Sequence, residues 1–278
     1  DRALYVAPFY PTYPGTIRSA GAVPVAVEAR AEDGFEPRAE AVDSVADGAT
    51  ALLVNSPHNP TGVIYSRATL EALSEVVRAR DLWLISDEVY DAHVWDGAHL
   101  SPRALPGLAE RTLVIGSLSK SHAMTGSRLG WLCGPVEVMR AAEDLALNVS
   151  YGLPGFIQEA GLFALTGGPE AEARIAAPFR RRRDILRRLV AGQQVVGAAP
   201  MRGAMYAMLD IRATGLSGEA FAERLLDEER IGVMPGESFG RAGAGHVRLA
   251  LTVADDRLEE AVGRLLALAG RLAGAPAD

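Results

Sequence analysis

The feature that most constrains this chain is an alternation of short apolar runs with longer amphipathic stretches. Runs rich in Val, Ile and Leu stand at 3–7, 22–27, 51–54, 82–86, 112–115 and 129–133. They are short and bounded by turn residues, so they read as buried strands. Between the third and fourth runs, residues 68–80 place Leu70, Leu73, Val76 and Val77 on one face, with Ser66 ahead as a cap; that is an amphipathic helix. Pro135 suits the first turn of another helix running to about Leu147. Strand–helix alternation of this kind predicts a mostly parallel α/β sheet.

The character changes near Gly168. Residues 170–191 form one long charged helical pattern with a basic cluster, Arg180 to Arg183. Asp184 and Glu172 interrupt it and the net charge is −7, so the cluster reads as a solvated helix face rather than a nucleic-acid surface. A strand at 204–211, a helix at 218–229 capped by Ser217, a strand at 246–251 and a helix at 257–272 follow. The tail 273–278 is expected to fray. This divides the chain into a large domain, 1–168, and a connecting helix with a small domain, 169–278. No apolar stretch is long enough to span a bilayer. The single cysteine, Cys133, reads as a small buried hydrophobe and fits a reducing cytoplasm.

In an open α/β sheet, ligands bind at the carboxyl ends of strands. Asn55-Ser-Pro-His-Asn-Pro-Thr-Gly62 follows the third run. Pro60 holds Asn59 extended, with its amide free either for a ligand or for its own loop. Asp87 and Tyr90 follow the fourth run, where the carboxylate is either a cap or a ligand. After the fifth run, Ser117, Ser119 and Ser121 surround Lys120, and Arg128 comes eight residues on. A half-buried lysine is useful as a neutral amine that attacks an aldehyde. Hydroxyls and an arginine beside it suit a phosphate. Arg248 lies inside an apolar strand and needs an anion, from a salt bridge or from a bound carboxylate. No His/Cys/carboxylate cluster suggests a metal.

Together, in this order, Asn59-Pro-Thr-Gly, Ser86-Asp-Glu-Val-Tyr, Ser117-x-Ser-Lys120 with Arg128, and Arg248 resemble the class I/II, fold-type I aminotransferases. Pro8-Phe9-Tyr10 is similar to the aspartate-aminotransferase-like branch. Residues 117–126, 151–158 and 210–217 look like those of arginine–pyruvate transaminases. The resemblance implies a large domain around a mostly parallel sheet, a smaller α+β domain and pyridoxal 5′-phosphate as cofactor. It also implies a homodimer with shared active sites, acting on an amino acid and a 2-oxo acid, with neither nucleic acid nor membrane as partner. Lys120 would hold the cofactor as a Schiff base and later move the Cα proton. Asp87 would face the pyridine nitrogen. Tyr90 and Asn59 would bond the phenolic oxygen. Ser117, Ser119 and Arg128 would hold the phosphate, Tyr10 would stack on the ring, and Arg248, with Asn59, would bind the substrate carboxylate.

The family often has a cis peptide before the proline matching Pro60, which is expected here too. Two departures stand out. Ser127 occupies a position usually held by Trp, which is expected to loosen packing beside the phosphate loop. The family also carries a segment ahead of the position matching Asp1, with a glycine-rich phosphate turn and a tyrosine that crosses the dimer, so the chain reads as N-terminally incomplete. Two other activities are compatible with the motifs: a carbon–sulfur β-lyase, and the non-enzymatic effector domain of a transcription regulator. Met205 and Tyr206 are expected near the pocket or in the core. His93 and His122 are expected to be hydrogen-bonding loop residues.

Overall fold

A computed structural model describes residues 1–274 of the chain. In chain order its first part comprises β1 (Arg2–Ala7), α1 (Tyr13–Ser19), β2 (Val23–Glu28), α2 (Ala39–Asp43) and β3 (Ala49–Asn55). Next come α3 (Arg67–Ala79), β4 (Trp83–Asp87), β5 (Thr112–Ser117), α4 (Leu118–Ser121) and β6 (Gly130–Cys133). Two helices, α5 (Val136–Ser150) and α6 (Gly155–Thr166), precede the long α7 (Pro169–Ala191). The remainder is β7 (Gly197–Ala198), β8 (Tyr206–Asp210), α8 (Gly218–Glu229), β9 (Met234–Pro235), β10 (His246–Ala250) and α9 (Asp255–Ala273).

The first sheet runs β2-β1-β3-β4-β5-β6. All its pairings are parallel except β5 with β6. Its core joins Leu4, Leu52 and Leu84 of the strands to Leu70, Leu73 and Val77 of α3. The hydroxyl of Ser66 accepts the Thr69 N–H at 3.1 Å, the expected cap of α3. The second sheet, β7-β8-β10-β9, is antiparallel in all three of its pairings. It builds a separate core with Leu186 of α7, Phe221 and Leu225 of α8, and Leu258, Val262 and Leu265 of α9. Ser217 caps α8 by accepting the Ala220 N–H at 3.1 Å. Among the described residues, no helix is long and apolar enough to cross a membrane.

The structure corrects three expectations. The run at 129–133 is not buried: β6 is an edge strand paired only with β5, and all four of its residues are exposed. Cys133 is therefore an exposed thiol rather than a buried hydrophobe. The basic cluster on α7 is not simply solvated. The Arg183 side chain is only 3% exposed and meets Asp96 at 2.5 Å, while Arg180 donates to the Val94 carbonyl at 2.9 Å. The inner side of α7 thus clamps the loop that follows Tyr90. The helices α1 and α6 were not anticipated. Tyr13-Pro14-Gly15 reads as a turn, and α6 has apolar residues on all sides, so no 3.6-residue period stands out. The fraying expected of the tail falls, from residue 275 on, outside the described residues.

The first sheet's far edge leaves an apolar face in solvent. α5 buries none of its residues. Val149, Phe156 and Phe163 are 75%, 77% and 80% exposed, far more than a monomer's isolated surface hydrophobics require.

Candidate active site

The order of the first sheet reverses beside β1: β2 lies on one side of it and β3 on the other. The crevice at the carboxyl ends of the strands, beside such a reversal, is where α/β sheets place their ligands. A cavity of about 350 Å³ opens there. Tyr10 and Tyr13 enter from the segment after β1, Asn55 and Asn59 from the end of β3, and Asp87 and Tyr90 from the end of β4. Ser117, Ser119, Lys120 and Arg128 come from the end of β5, and Tyr206 from β8. Eight of the nine residues singled out in the sequence line this one cavity. The ninth, Arg248, reaches it by donating from Nη1 to Asn59 Oδ1 at 2.9 Å.

Local geometry explains each placement. Asn55 ends β3 and ties two motifs together. Its Nδ2 donates to the Asp87 carbonyl at 2.9 Å, and its Oδ1 accepts the Asn59 N–H at 2.9 Å. The Asn59–Pro60 peptide is cis, as expected. With Oδ1 taken by Arg248, the Asn59 amide has its NH₂ end left for a ligand. Gly62 closes the loop at φ 74°, and its carbonyl accepts N–H bonds from Arg202 at 2.9 Å and Gly203 at 2.8 Å. The loop is thereby fastened to the chain that leads into β8.

Asp87 has two partners. Tyr13 Oη donates to Oδ2 at 2.5 Å, and the Val89 N–H donates to Oδ1 at 3.3 Å. Burial raises the Asp87 pKa above the ordinary carboxylate value, and these two hydrogen bonds pull it partly back. Burial is also the main cause that raises the Tyr90 hydroxyl far above its ordinary range, with Tyr206 next. Lys120 lies on the single turn α4, which Ser117 caps by accepting the Ser119 N–H at 3.1 Å. Thr125 closes that loop by donating to the Ser119 carbonyl at 3.0 Å. Arg128 sits at φ 53° and donates to the Thr125 carbonyl at 2.9 Å.

Arg248 on β10 stands diagonally across the strand pair from Tyr206 on β8, on the same face. Its guanidinium lies between two rings, 4.3 Å from the centre of Tyr206 and 4.7 Å from that of Phe239. Burial lowers its pKa, and its Nε is buried with no hydrogen-bond partner among the described residues. Neither Arg248 nor Asp87 has an ion-pair partner among the described residues. Among the described residues, the cavity therefore brings together a carboxylate, Asp87, and two arginines, Arg128 and Arg248, none of them in an ion pair, with the amine of Lys120 between motifs that suit a phosphate.

Sequence reasoning missed Tyr13, Asn55 and Thr125. Tyr13 follows Tyr10 by three residues and so shares its side of the chain once α1 is known to start there; nothing local marks Asn55 or Thr125. Tyr206 lines the cavity, whereas Met205 is buried beside it. His122 bonds Ser121 Oγ at 2.9 Å, as a loop histidine would. His93 differs: it is fully buried, and neither ring nitrogen has a partner among the described residues.

A family model, "Aminotransferase class I and II", matches residues 1–265. The arginine–pyruvate transaminase of Pseudomonas aeruginosa is 47% identical over 278 residues, covering 99% of this chain and 70% of that protein. The aspartate/prephenate aminotransferase of Thermus thermophilus is 36% identical over 278 residues, covering 98% of this chain and 70% of that protein. The crystal structure of the aromatic aminotransferase from Pyrococcus horikoshii superposes with a TM-score of 0.93 at 33% identity, covering 98% of this chain and 73% of that one. These relatives favour neither the carbon–sulfur lyase nor the regulator reading. With its fold, its residues 1–265 and its relatives all in agreement, the chain belongs to the class I and II aminotransferases and is a fold-type I transaminase.

Proposed function

We propose that this aminotransferase uses pyridoxal 5′-phosphate and carries the amino group of arginine to pyruvate. One observation supports the cofactor above others: Asp87 and Arg248 meet at one cavity and neither has an ion-pair partner among the described residues. A half-buried carboxylate with a raised pKa is best matched by a cationic ring N–H, and a buried arginine with an orphaned Nε by a carboxylate. Pyridoxal phosphate bound to an amino acid presents both. When bound, this cofactor supplies an aldehyde that condenses with amines and a ring that accepts the electron pair left when Cα loses its proton.

The chain's own residues do the rest. Lys120 Nζ takes the proton from the substrate's Cα as a general base. Asp87 keeps the proton on the ring nitrogen. The Asn59 NH₂ group and the Tyr90 hydroxyl bond the phenolic oxygen, and Tyr10 covers a ring face. Ser117, Ser119 and Arg128 hold the phosphate. Arg248 grips the α-carboxylate through two parallel hydrogen bonds and so fixes which Cα bond is broken.

The choice of arginine and pyruvate is supported by the 47% identity to the Pseudomonas enzyme of that name. A homodimer is supported by the apolar face of β6, α5 and α6, which a second copy would cover. The division into domains at 1–168 and 169–278 is supported by the two separate cores. A cytoplasmic location is supported by the single cysteine in the sequence.

The deciding experiment is an amino-donor screen of the purified protein with pyruvate and 2-oxoglutarate as acceptors. Arginine with pyruvate should give the highest kcat/KM, and Lys120→Ala should remove both turnover and the visible absorbance of bound cofactor. Preference for aspartate with 2-oxoglutarate would overturn the substrate reading. Unchanged turnover in Lys120→Ala would overturn the cofactor reading.

A further inference from the structure

Tyr13 is outside every motif that marks the family in this sequence, yet its hydroxyl makes the shortest contact to Asp87. Tyr13 is the first residue of α1, and Tyr13 Oη lies 2.5 Å from Asp87 Oδ2. Its ring meets Tyr10 edge to face at 5.6 Å, which helps to hold it in place. The bond has one direction. Burial, then the negative charge of Asp87, push the Tyr13 hydroxyl well above its ordinary pKa, so it stays protonated and donates. Among the described residues, Asp87 has only one other donor, the Val89 N–H at the longer distance of 3.3 Å. Lys120 and Arg128 line the same cavity without forming an ion pair to Asp87; of the groups nearer to the two side chains, Glu88, next in sequence, and Tyr90 adjoin the carboxylate, and Tyr65 faces Tyr13. None of these nearer groups is a cation.

We infer that Tyr13 is a positioning residue for Asp87: its hydroxyl fixes the plane of the carboxylate and supports its negative charge in a half-buried site where it has no ion-pair partner among the described residues. The inference rests on the reading that Asp87 faces the cofactor's ring nitrogen. Without the Tyr13 hydroxyl, burial acts on Asp87 with only one weak opposing donor. The carboxyl then takes up a proton at higher pH and holds the ring's proton less well. Electron withdrawal by the ring weakens, and Cα deprotonation slows. A tyrosine that only packs would affect none of these.

The test uses Tyr13→Phe, which keeps the ring and its packing on Tyr10. In cofactor-free protein, the Asp87 carboxyl, followed by its ¹³C shift, should titrate roughly one to two pH units higher in the variant. In loaded protein, the ¹⁵N shift of labelled cofactor should show the ring nitrogen losing its proton at lower pH. Single-turnover deamination of the amino donor should slow roughly ten- to hundredfold with little change in substrate affinity. In an Asp87→Asn background, Tyr13→Phe should add no further loss. An unshifted Asp87 titration would overturn the inference, as would an undiminished effect of Tyr13→Phe in the Asp87→Asn background. If Asp87→Asn alone leaves the rate intact while Asp87 still shifts in Tyr13→Phe, the contact is real and the role given to Asp87 in the proposed function is what fails.

Discussion

Replacing His93 with leucine is expected to stabilise the protein, and increasingly so towards acid pH. His93 is fully buried among Tyr90, Trp95 and Phe179, whose rings lie 6.1, 5.6 and 5.3 Å away. Burial first, and nearby Lys120 second, hold its pKa down to about 4 from 6.5. The folded pKa is depressed, so between those values the unfolded chain binds a proton that the folded chain refuses. Stability from this group is therefore complete above pH 6.5 and is lost as pH falls towards 4. At 1.36 kcal/mol per unit, the full loss is about 3 kcal/mol, most of it reached between pH 7 and 4.5. His58 is also held down to about 4 by burial, so the variant should retain one such loss where the parent has two. At neutral pH, removing a ring whose two nitrogens have no partner among the described residues should add about 1–3 kcal/mol. Urea unfolding at pH 7, 6, 5 and 4.5, read by tryptophan fluorescence and far-UV circular dichroism together, measures both effects. Midpoint curves for parent and His93→Leu that run parallel from pH 7 to 4.5 would refute the reasoning.

Three further outcomes are expected. Arg248→Met should lower kcat/KM for an amino acid by roughly 10²–10⁴ while cofactor affinity stays within a few-fold, read by steady-state kinetics and cofactor titration. Gly62→Ala should destabilise by about 2 kcal/mol or more, because φ is 74° and an added Cβ would stand 2.5 Å from the Tyr206 carbonyl oxygen; thermal unfolding checks it. Arg183→Ala should cost about 2–4 kcal/mol, less than a fully enclosed pair, because the Asp96 left behind is 49% exposed. Adding Asp96→Asn should recover part of that loss in the same denaturation assay.

Much of the fold could be read from the chain because its strands are short, apolar and separated by helices with a single apolar face. The residues of α3 show the period plainly, and Ser66 marks its start. The edge strand β6 was legible as a strand but not as an exposed one, because an apolar run looks the same whether neighbours cover it or leave it in solvent. Arg183 looked like its charged neighbours for a related reason. Its partner Asp96 lies nearly ninety positions away along the chain, so nothing local marks it as buried. The site was legible where chemistry demands an unusual residue, as with Lys120 among serines or Arg248 inside an apolar strand. Tyr13 and Asn55 escaped because their work is done through Asp87 and Asn59, and a supporting hydrogen bond leaves no mark on sequence spacing.

The ring sandwich around Arg248 has a consequence for how tightly a carboxylate can be held. A free arginine side chain gives up about 2 kcal/mol of rotamer freedom when it is immobilised. Here the Tyr206 and Phe239 rings and the Asn59 amide already restrict it. Most of that entropy is thus surrendered during folding, before any substrate arrives. Affinity at this position then reflects the strength of the ion pair itself, and a substrate that presents its carboxylate at a slightly wrong angle finds an arginine that cannot turn to meet it.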